Sequence, residues 1–183
     1  MNGLNICRED SVLVVIDFQE KLLPQIYERE AILEATSRLI KGCRALSVPI
    51  IVTQQYSKGL GPTVPKIAEA LSDFTPVEKT TFSAMREPLF EKVLKETGKK
   101  DVIICGVETH ICVQQTALDL IEAGYEVYGV IDCMSSRTSD NKEFGQIRMT
   151  QSGVVMTGYE SVLFDMLIDA KDAQFKAISA IVK

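Results

Sequence analysis

The sequence predicts an α/β fold, a three-layer α/β/α sandwich around a doubly wound, mainly parallel sheet. Two observations carry that expectation. Short β-branched and apolar runs recur at residues 12–16, 50–53, 102–105, 127–131 and 154–156, and continuous runs of this kind fit strands covered on both faces. Between them, residues 31–46, 88–97, 110–123 and 142–151 show helical periodicity. Strands alternating with helices make right-handed βαβ units.

Each element has its own support. The first run, Val12-Leu13-Val14-Val15-Ile16, contains no polar residue and delivers Asp17 at its end. A further strand is expected to end at Lys79, which makes six. Gly98 and Gly124 stand where helices should stop, each a few residues before the next apolar run, because glycine accepts the left-handed geometry of a helix end. Pro88 suits the first turn of its helix. Residues 170–181 read as a C-terminal helix with Ala173, Ile178 and Ile181 near one face. Val162-Leu163-Phe164 and Met166-Leu167-Ile168 suit either core or a subunit interface. Gly59-Leu60-Gly61-Pro62 directly follows the second strand and is the most loop-like stretch, a candidate lid.

Composition bounds the partners. A chain of 183 residues with 46% hydrophobic and 25% charged residues fits one soluble globular domain spanning residues 1–183. Its net charge of -5 opposes a general grip on nucleic acid, which needs concentrated Lys and Arg. No apolar run approaches the roughly 20 residues that cross a bilayer, so no membrane partner is expected. Residues 1–10 lack a basic stretch followed by an apolar one, which predicts a cytoplasmic protein. Five cysteines, an odd count, point to reduced thiols in such a compartment.

In an open α/β sheet, ligands bind beyond the carboxyl ends of the strands. Three such ends carry chemistry: Asp17 after the first strand, Lys79 after the third, and Cys112 a few residues beyond the fourth. Cys112 is expected in the first turn of a helix with Thr109 as its N-cap. Helix N–H groups and the Lys79 ammonium would then favour the thiolate, lowering its pKa below the free value of about 8.5. Asp17 is placed to take the thiol proton and return it to a leaving amine. Taken singly, each residue has a plainer role: Cys105 and Cys43 suit buried core positions, a strand-end Asp often caps a helix, and an isolated Lys is usually solvated.

Three blocks, Val15-Ile16-Asp17-Phe18-Gln19, Lys79-Thr80-Thr81-Phe82-Ser83-Ala84 and Gly106-Val107-Glu108-Thr109-His110-Ile111-Cys112-Val113, resemble the isochorismatase-like, or cysteine hydrolase, family. Further stretches, including Thr53-Gln54-Gln55-Tyr56 and Cys133-Met134-Ser135-Ser136-Arg137, resemble the subgroup of isochorismatase domain-containing proteins. The resemblance implies a sheet of order 3-2-1-4-5-6 with Cys112 as nucleophile, Asp17 as general base and then acid, and Lys79 as the cation holding both. It also implies a cis peptide at Val107-Glu108 and an oxyanion hole made by the backbone N–H groups of Glu108 and Cys112. In that strand order the first and fourth strands are neighbours about 4.8 Å apart, which brings Asp17 toward Cys112. Family members commonly form homo-oligomers, so a dimer or larger assembly is expected.

The departures from the family are informative too. Nicotinamidases carry a metal site of Asp and His residues after the second strand, whereas residues 53–65 contain no His, Asp or Glu. The single histidine, His110, cannot supply the three or four ligands of a zinc site, so no metal or other cofactor is expected. True isochorismatases cleave a vinyl ether without needing the cysteine. Its presence favours a small-molecule amide or related C–N substrate, with Phe18, Gln55, Phe82 and His110 as candidate pocket walls. A dinucleotide-binding domain is disfavoured, since Asp17-Phe18-Gln19-Glu20-Lys21 stands where the glycine-rich turn belongs. Two alternatives stay open: a thiol-based redox protein, although no Cys-x-x-Cys pair is present, and a non-catalytic interaction protein on the same fold.

Overall fold

The computed structural model describes residues 6–183. The first five residues, part of the start considered above for an export signal, lie outside the described residues. Six parallel strands form one sheet in the order β3-β2-β1-β4-β5-β6. The strands are β1 (Ser11–Ile16), β2 (Ile50–Gln55), β3 (Val77–Lys79), β4 (Asp101–Val107), β5 (Glu126–Ser135) and β6 (Val155–Thr157). This is the doubly wound order expected, and it reverses between β1 and β4.

The apolar runs become strands because both of their faces are covered. On β1, Leu13 and Val15 join a core layer that includes Ile32, Leu39 and Cys43 of α1 (Arg29–Ala45), Ile67 of α3 (Pro65–Leu71), Val162 and Met166 of α7 (Tyr159–Leu167) and Ile178 of α8 (Phe175–Val182). Val12, Val14 and Ile16 point the other way, toward Phe90 and Leu94 of α4 (Pro88–Glu96), Ala117 and Leu120 of α5 (Gln114–Glu122) and Met149 of α6 (Ser139–Gln151). Alternation along a strand splits the side chains between two faces. Fully burying each Val, Leu or Ile is worth about 1.5–3 kcal/mol, so the central strands lock the three layers together.

Several boundaries differ from those the sequence predicts, each for a local reason. The C-terminal helix begins at Phe175, not near 170, because the backbone from Asp169 to Gln174 is tied into turns by the Asp169 and Asp172 carboxylates. Helix α6 starts three residues earlier, at Ser139, where the Thr138 hydroxyl accepts the Asn141 N–H as an N-cap. Strand β5 continues through the expected 133–137 loop as far as Ser135, with an irregularity in its register against β4. Helices α3 and α7 are additions to the predicted elements. In α7, Val162, Leu163, Met166 and Leu167 are core, while Phe164 and, just past the end of the helix, Ile168 face outward.

The Gly59-Leu60-Gly61-Pro62 stretch does not form a free lid. Residues Ser57–Leu60 make a single helical turn, α2, and the segment after it is fastened to the chain beyond β1. The buried Gln19 side chain donates to the Gln55 and Gly61 carbonyls at 3.0 and 2.8 Å and accepts the Gln55 N–H at 2.7 Å. The Glu20 and Lys21 N–H groups donate to the Pro62 and Leu60 carbonyls. One glutamine with all three bonds internal thus ties this turn to the chain after β1.

Candidate active site

The candidate site lies where the strand order reverses, beyond the carboxyl ends of β1, β2, β3 and β4. Strand β1 pairs with β2 and β4 in parallel, Ile16 opposite both Thr53 and Gly106. Asp17 follows Ile16 with φ 54, a left-handed conformation that a non-glycine residue adopts when its surroundings impose it. Gly106 lets β1 and β4 approach closely here: a Cβ on it would run into the Ile16 carbonyl oxygen and lie 2.6 Å from the Ile16 Cβ. The peptide bond between Val107 and Glu108 is cis.

Asp17 and Lys79 meet at the centre. Lys79 Nζ donates to Asp17 Oδ2 at 2.7 Å and to Gln55 Oε1 at 2.7 Å, with the Thr81 and Phe82 carbonyls at 3.3 and 3.2 Å. An ammonium has three protons, and these four acceptors use them all. Lys79 is therefore a fixed positive charge and not a mobile donor. Asp17 Oδ1 accepts the Thr53 hydroxyl at 2.7 Å. Asp17 and Lys79 are 0% and 1% exposed, so their charges are compensated by each other and by these hydrogen bonds.

Cys112 completes the cluster, although its local structure differs from the expected capped helix. After β4 the chain forms a wide π-helical turn, Thr109–Val113, in which the Val113 N–H reaches back five residues to the Glu108 carbonyl at 3.2 Å. Thr109 is not an N-cap: it lies inside the turn, and its buried hydroxyl has no partner. Glu108 occupies the cap position without capping, because its carboxylate accepts the Arg137 N–H and Nε–H at 3.1 and 3.0 Å. Helix α6 packs tightly on this turn, since a Cβ on Gly145 would lie 2.9 Å from both the N and Cα of His110.

The Cys112 thiol lies close enough to Asp17 and Lys79 for both charges to act on it. Burial first, and then the Asp17 charge, push it up to about 12 against the opposing pull of Lys79. This corrects the expectation of a depressed value: at 6% exposure the cost of desolvating a thiolate outweighs the helix start and the ammonium. The resting cluster is a thiol, a carboxylate and an ammonium.

The four pocket candidates separate. Phe18 is 1% exposed and packs in the core beneath β1, so it does not face a ligand. Gln55 is partly exposed beside Lys79, and its Nε2 donates to the Thr80 carbonyl at 2.8 Å. Phe82 is 55% exposed next to the carbonyl that receives Lys79. His110 is half-buried with its Nδ1 2.9 Å from Ser136 Oγ, and burial lowers its pKa below the ordinary imidazole value. Thr53 and Gln19 went unrecognised as site residues. The signal for Thr53 was present, a polar residue closing the apolar run Ile50-Ile51-Val52 on a strand that neighbours β1.

All five cysteines are free, and Cys43, Cys105 and Cys133 are wholly buried. Among the described residues, no three His, Cys, Asp or Glu side chains are grouped to hold a metal ion. Among the same residues, no helix is long and apolar enough to cross a membrane.

The doubly wound α/β/α sheet, with a buried carboxylate, ammonium and thiol at its switch point, has the architecture of the isochorismatase-type hydrolase fold. The chain belongs to the isochorismatase family: the isochorismatase domain matches residues 11–161. It is 42% identical to isochorismatase domain-containing protein 2 of Danio rerio over 92% of this chain and 84% of that protein. Among solved structures it resembles the MAR1 ribonuclease of Caenorhabditis elegans, with TM-score 0.91 and 38% identity over 97% of this chain and 92% of that one. It also resembles YcaC of Pseudomonas aeruginosa, described with hexane-2,5-diol and covalent acrylamide, with TM-score 0.93 and 25% identity over 100% and 92%.

Proposed function

We propose that the protein hydrolyses small amide-like substrates through a thioester on Cys112. The observation behind this reading is the convergence of the Cys112 thiol, the Asp17 carboxylate and the Lys79 ammonium in a site almost closed to water. Because the thiol holds its proton at rest, the nucleophile is generated during attack: Asp17 takes the proton as Sγ bonds to the carbonyl carbon. The oxygen that takes the displaced electron pair accepts hydrogen bonds from the backbone N–H groups of Glu108 and Cys112. Collapse of the adduct restores the carbonyl and expels the amine, which takes the proton from Asp17. Water then attacks the thioester with Asp17 again as base, releasing a carboxylic acid and the free thiol.

Lys79 keeps Asp17 oriented and balances its charge throughout. Gln55, Phe82 and His110 border the bound substrate, and every step uses groups of the chain itself, with no cofactor. The covalent acrylamide described for YcaC supports a reactive nucleophile on this fold, since acrylamide is an electrophile that thiols add to. Exposed Phe144 and Ile147 on α6 support assembly into a homo-oligomer, which sedimentation of the purified protein tests.

The reading is tested with a panel of small amides and imides, following product amine and the acyl adduct on Cys112 by mass spectrometry. Cys112→Ala and Asp17→Asn should each lower turnover by roughly 100-fold or more. Turnover that survives Cys112→Ala without an adduct would refute the thioester. RNA belongs in the same panel because the C. elegans relative is named a ribonuclease. The net charge of -5 weighs against strong phosphate binding, and RNA cleavage lost with the same two variants would replace the amide reading.

A further inference from the structure

Thr53 takes no part in the mechanism above, yet its hydroxyl touches the group on which that mechanism turns. Its Oγ1 donates to Asp17 Oδ1 at 2.7 Å, while Lys79 occupies Oδ2 at the same distance. Its carbonyl accepts the Asp17 N–H at 3.3 Å, so one residue holds Asp17 by both backbone and side chain. Thr53 is itself fully buried, fixed in register with Ile16 on β1 and Val77 on β3. Two strand ladders set where the hydroxyl sits, and the hydroxyl sets how the carboxylate is rotated.

We infer that Thr53 is a positioning residue of this site, holding the Asp17 carboxylate toward the Cys112 thiol and favouring the charged form that accepts the proton. The inference rests on the reading of Asp17 as the base. A neutral donor suits the position. With Lys79 already balancing the single negative charge, a second cation would leave the buried cluster with an excess charge, which is costly away from water. A hydroxyl supplies the hydrogen bond without adding charge. The plainer alternative is a strand-end threonine that bonds the nearest acceptor and contributes to folding alone.

The two roles separate in the pH dependence of thiol reactivity. A donor to a carboxylate favours its ionised form, so removing the hydroxyl lets Asp17 take up a proton at higher pH. The probe is acrylamide, with the adduct on Cys112 of the full-length protein quantified by mass spectrometry as a function of pH. Reactivity should fall on the acid side as Asp17 becomes protonated. In Thr53→Val the midpoint of that acid limb should move up by roughly one pH unit, the size expected from losing one hydrogen bond to a charged group. Thr53→Ser, which retains the hydroxyl, should restore it. Thr53→Ala provides the same comparison if the valine variant folds poorly.

An acid limb that disappears in Asp17→Asn but stays in place in Thr53→Val or Thr53→Ala overturns the assignment of Thr53 alone, even if the melting temperature falls. A limb that survives Asp17→Asn shows that Asp17 is not the base, and overturns both the assignment and the reading beneath it.

Discussion

The Lys79 ammonium lies 2.7 Å from the Asp17 carboxylate, with neither side chain exposed to solvent. Removing one partner of such a pair strands a charge in a region without water, which costs about 3–5 kcal/mol. Lys79→Met should lower stability by that order in denaturant unfolding. The double variant Asp17→Asn with Lys79→Met should recover part of the loss, since no charge is left unpaired. A single variant as stable as the parent protein would mean that the carboxylate finds water or another partner.

Gly106 stands at the contact between β1 and β4 with φ 142. An added Cβ would press on the Ile16 backbone, and overpacking of this kind costs about 1–3 kcal/mol. Gly106→Ala should lower the melting temperature and slow acrylamide addition to Cys112, because the spread strand ends carry Asp17 and Glu108. Unchanged reactivity in a destabilised variant would show that the strain relaxes away from the site.

The buried thiols predict alkaline lability. Burial holds Cys43 up to about 12 and Cys105 and Cys133 well above the ordinary thiol value of 9.0, while burial and the Asp17 charge hold Cys112 up to about 12. Above 9.0 the unfolded chain sheds thiol protons that the folded protein retains, so stability falls as pH rises. Below it this contribution is fully present. The slope is up to about 1.4 kcal/mol per pH unit for each thiol. Guanidinium midpoints measured on both sides of the thiol range should show the fall, and Cys43→Ala should make it shallower. An identical slope in that variant would exclude Cys43 as a contributor.

His110 gives a prediction of opposite sense. Burial lowers its pKa from the ordinary 6.5, with Glu108 opposing and Arg137 adding to the effect. A depressed imidazole contributes stability above the unfolded value and loses it as pH falls through the folded one. As the single histidine of the chain, it can be followed as one ring resonance by NMR. Its midpoint should lie below 6.5 and rise in Arg137→Gln. A midpoint above 6.5 in the parent protein would mean that the Glu108 charge dominates.

Much of this architecture was legible because the central strands are buried on both faces and so leave uninterrupted apolar runs. Strand ends were equally readable: Asp17 and Lys79 are charged residues placed where a sheet of this kind opens its crevice. What escaped depends on long-range geometry. The π-helical turn around Cys112 cannot be told from an ordinary helix start, because the Glu108 side chain that would help define a cap is taken by Arg137, 29 residues later. The state of the thiol was misjudged for a related reason. Local sequence shows the ammonium and the helix, but not how completely neighbouring layers exclude water. Phe18 looked like a pocket wall because it follows Asp17, yet the left-handed turn at Asp17 is followed by a ring packed into the core.

Strand β3 contributes the site's cation from the sheet margin with three paired residues, whereas β1 and β4 share a six-residue ladder at its middle. A margin this short belongs to the part of a fold that opens first. On warming, Lys79 can leave its partners while the central strands are still paired, so inactivation would precede loss of the sheet. The working temperature of the molecule would then be set by the short strand that carries Lys79 and not by its core.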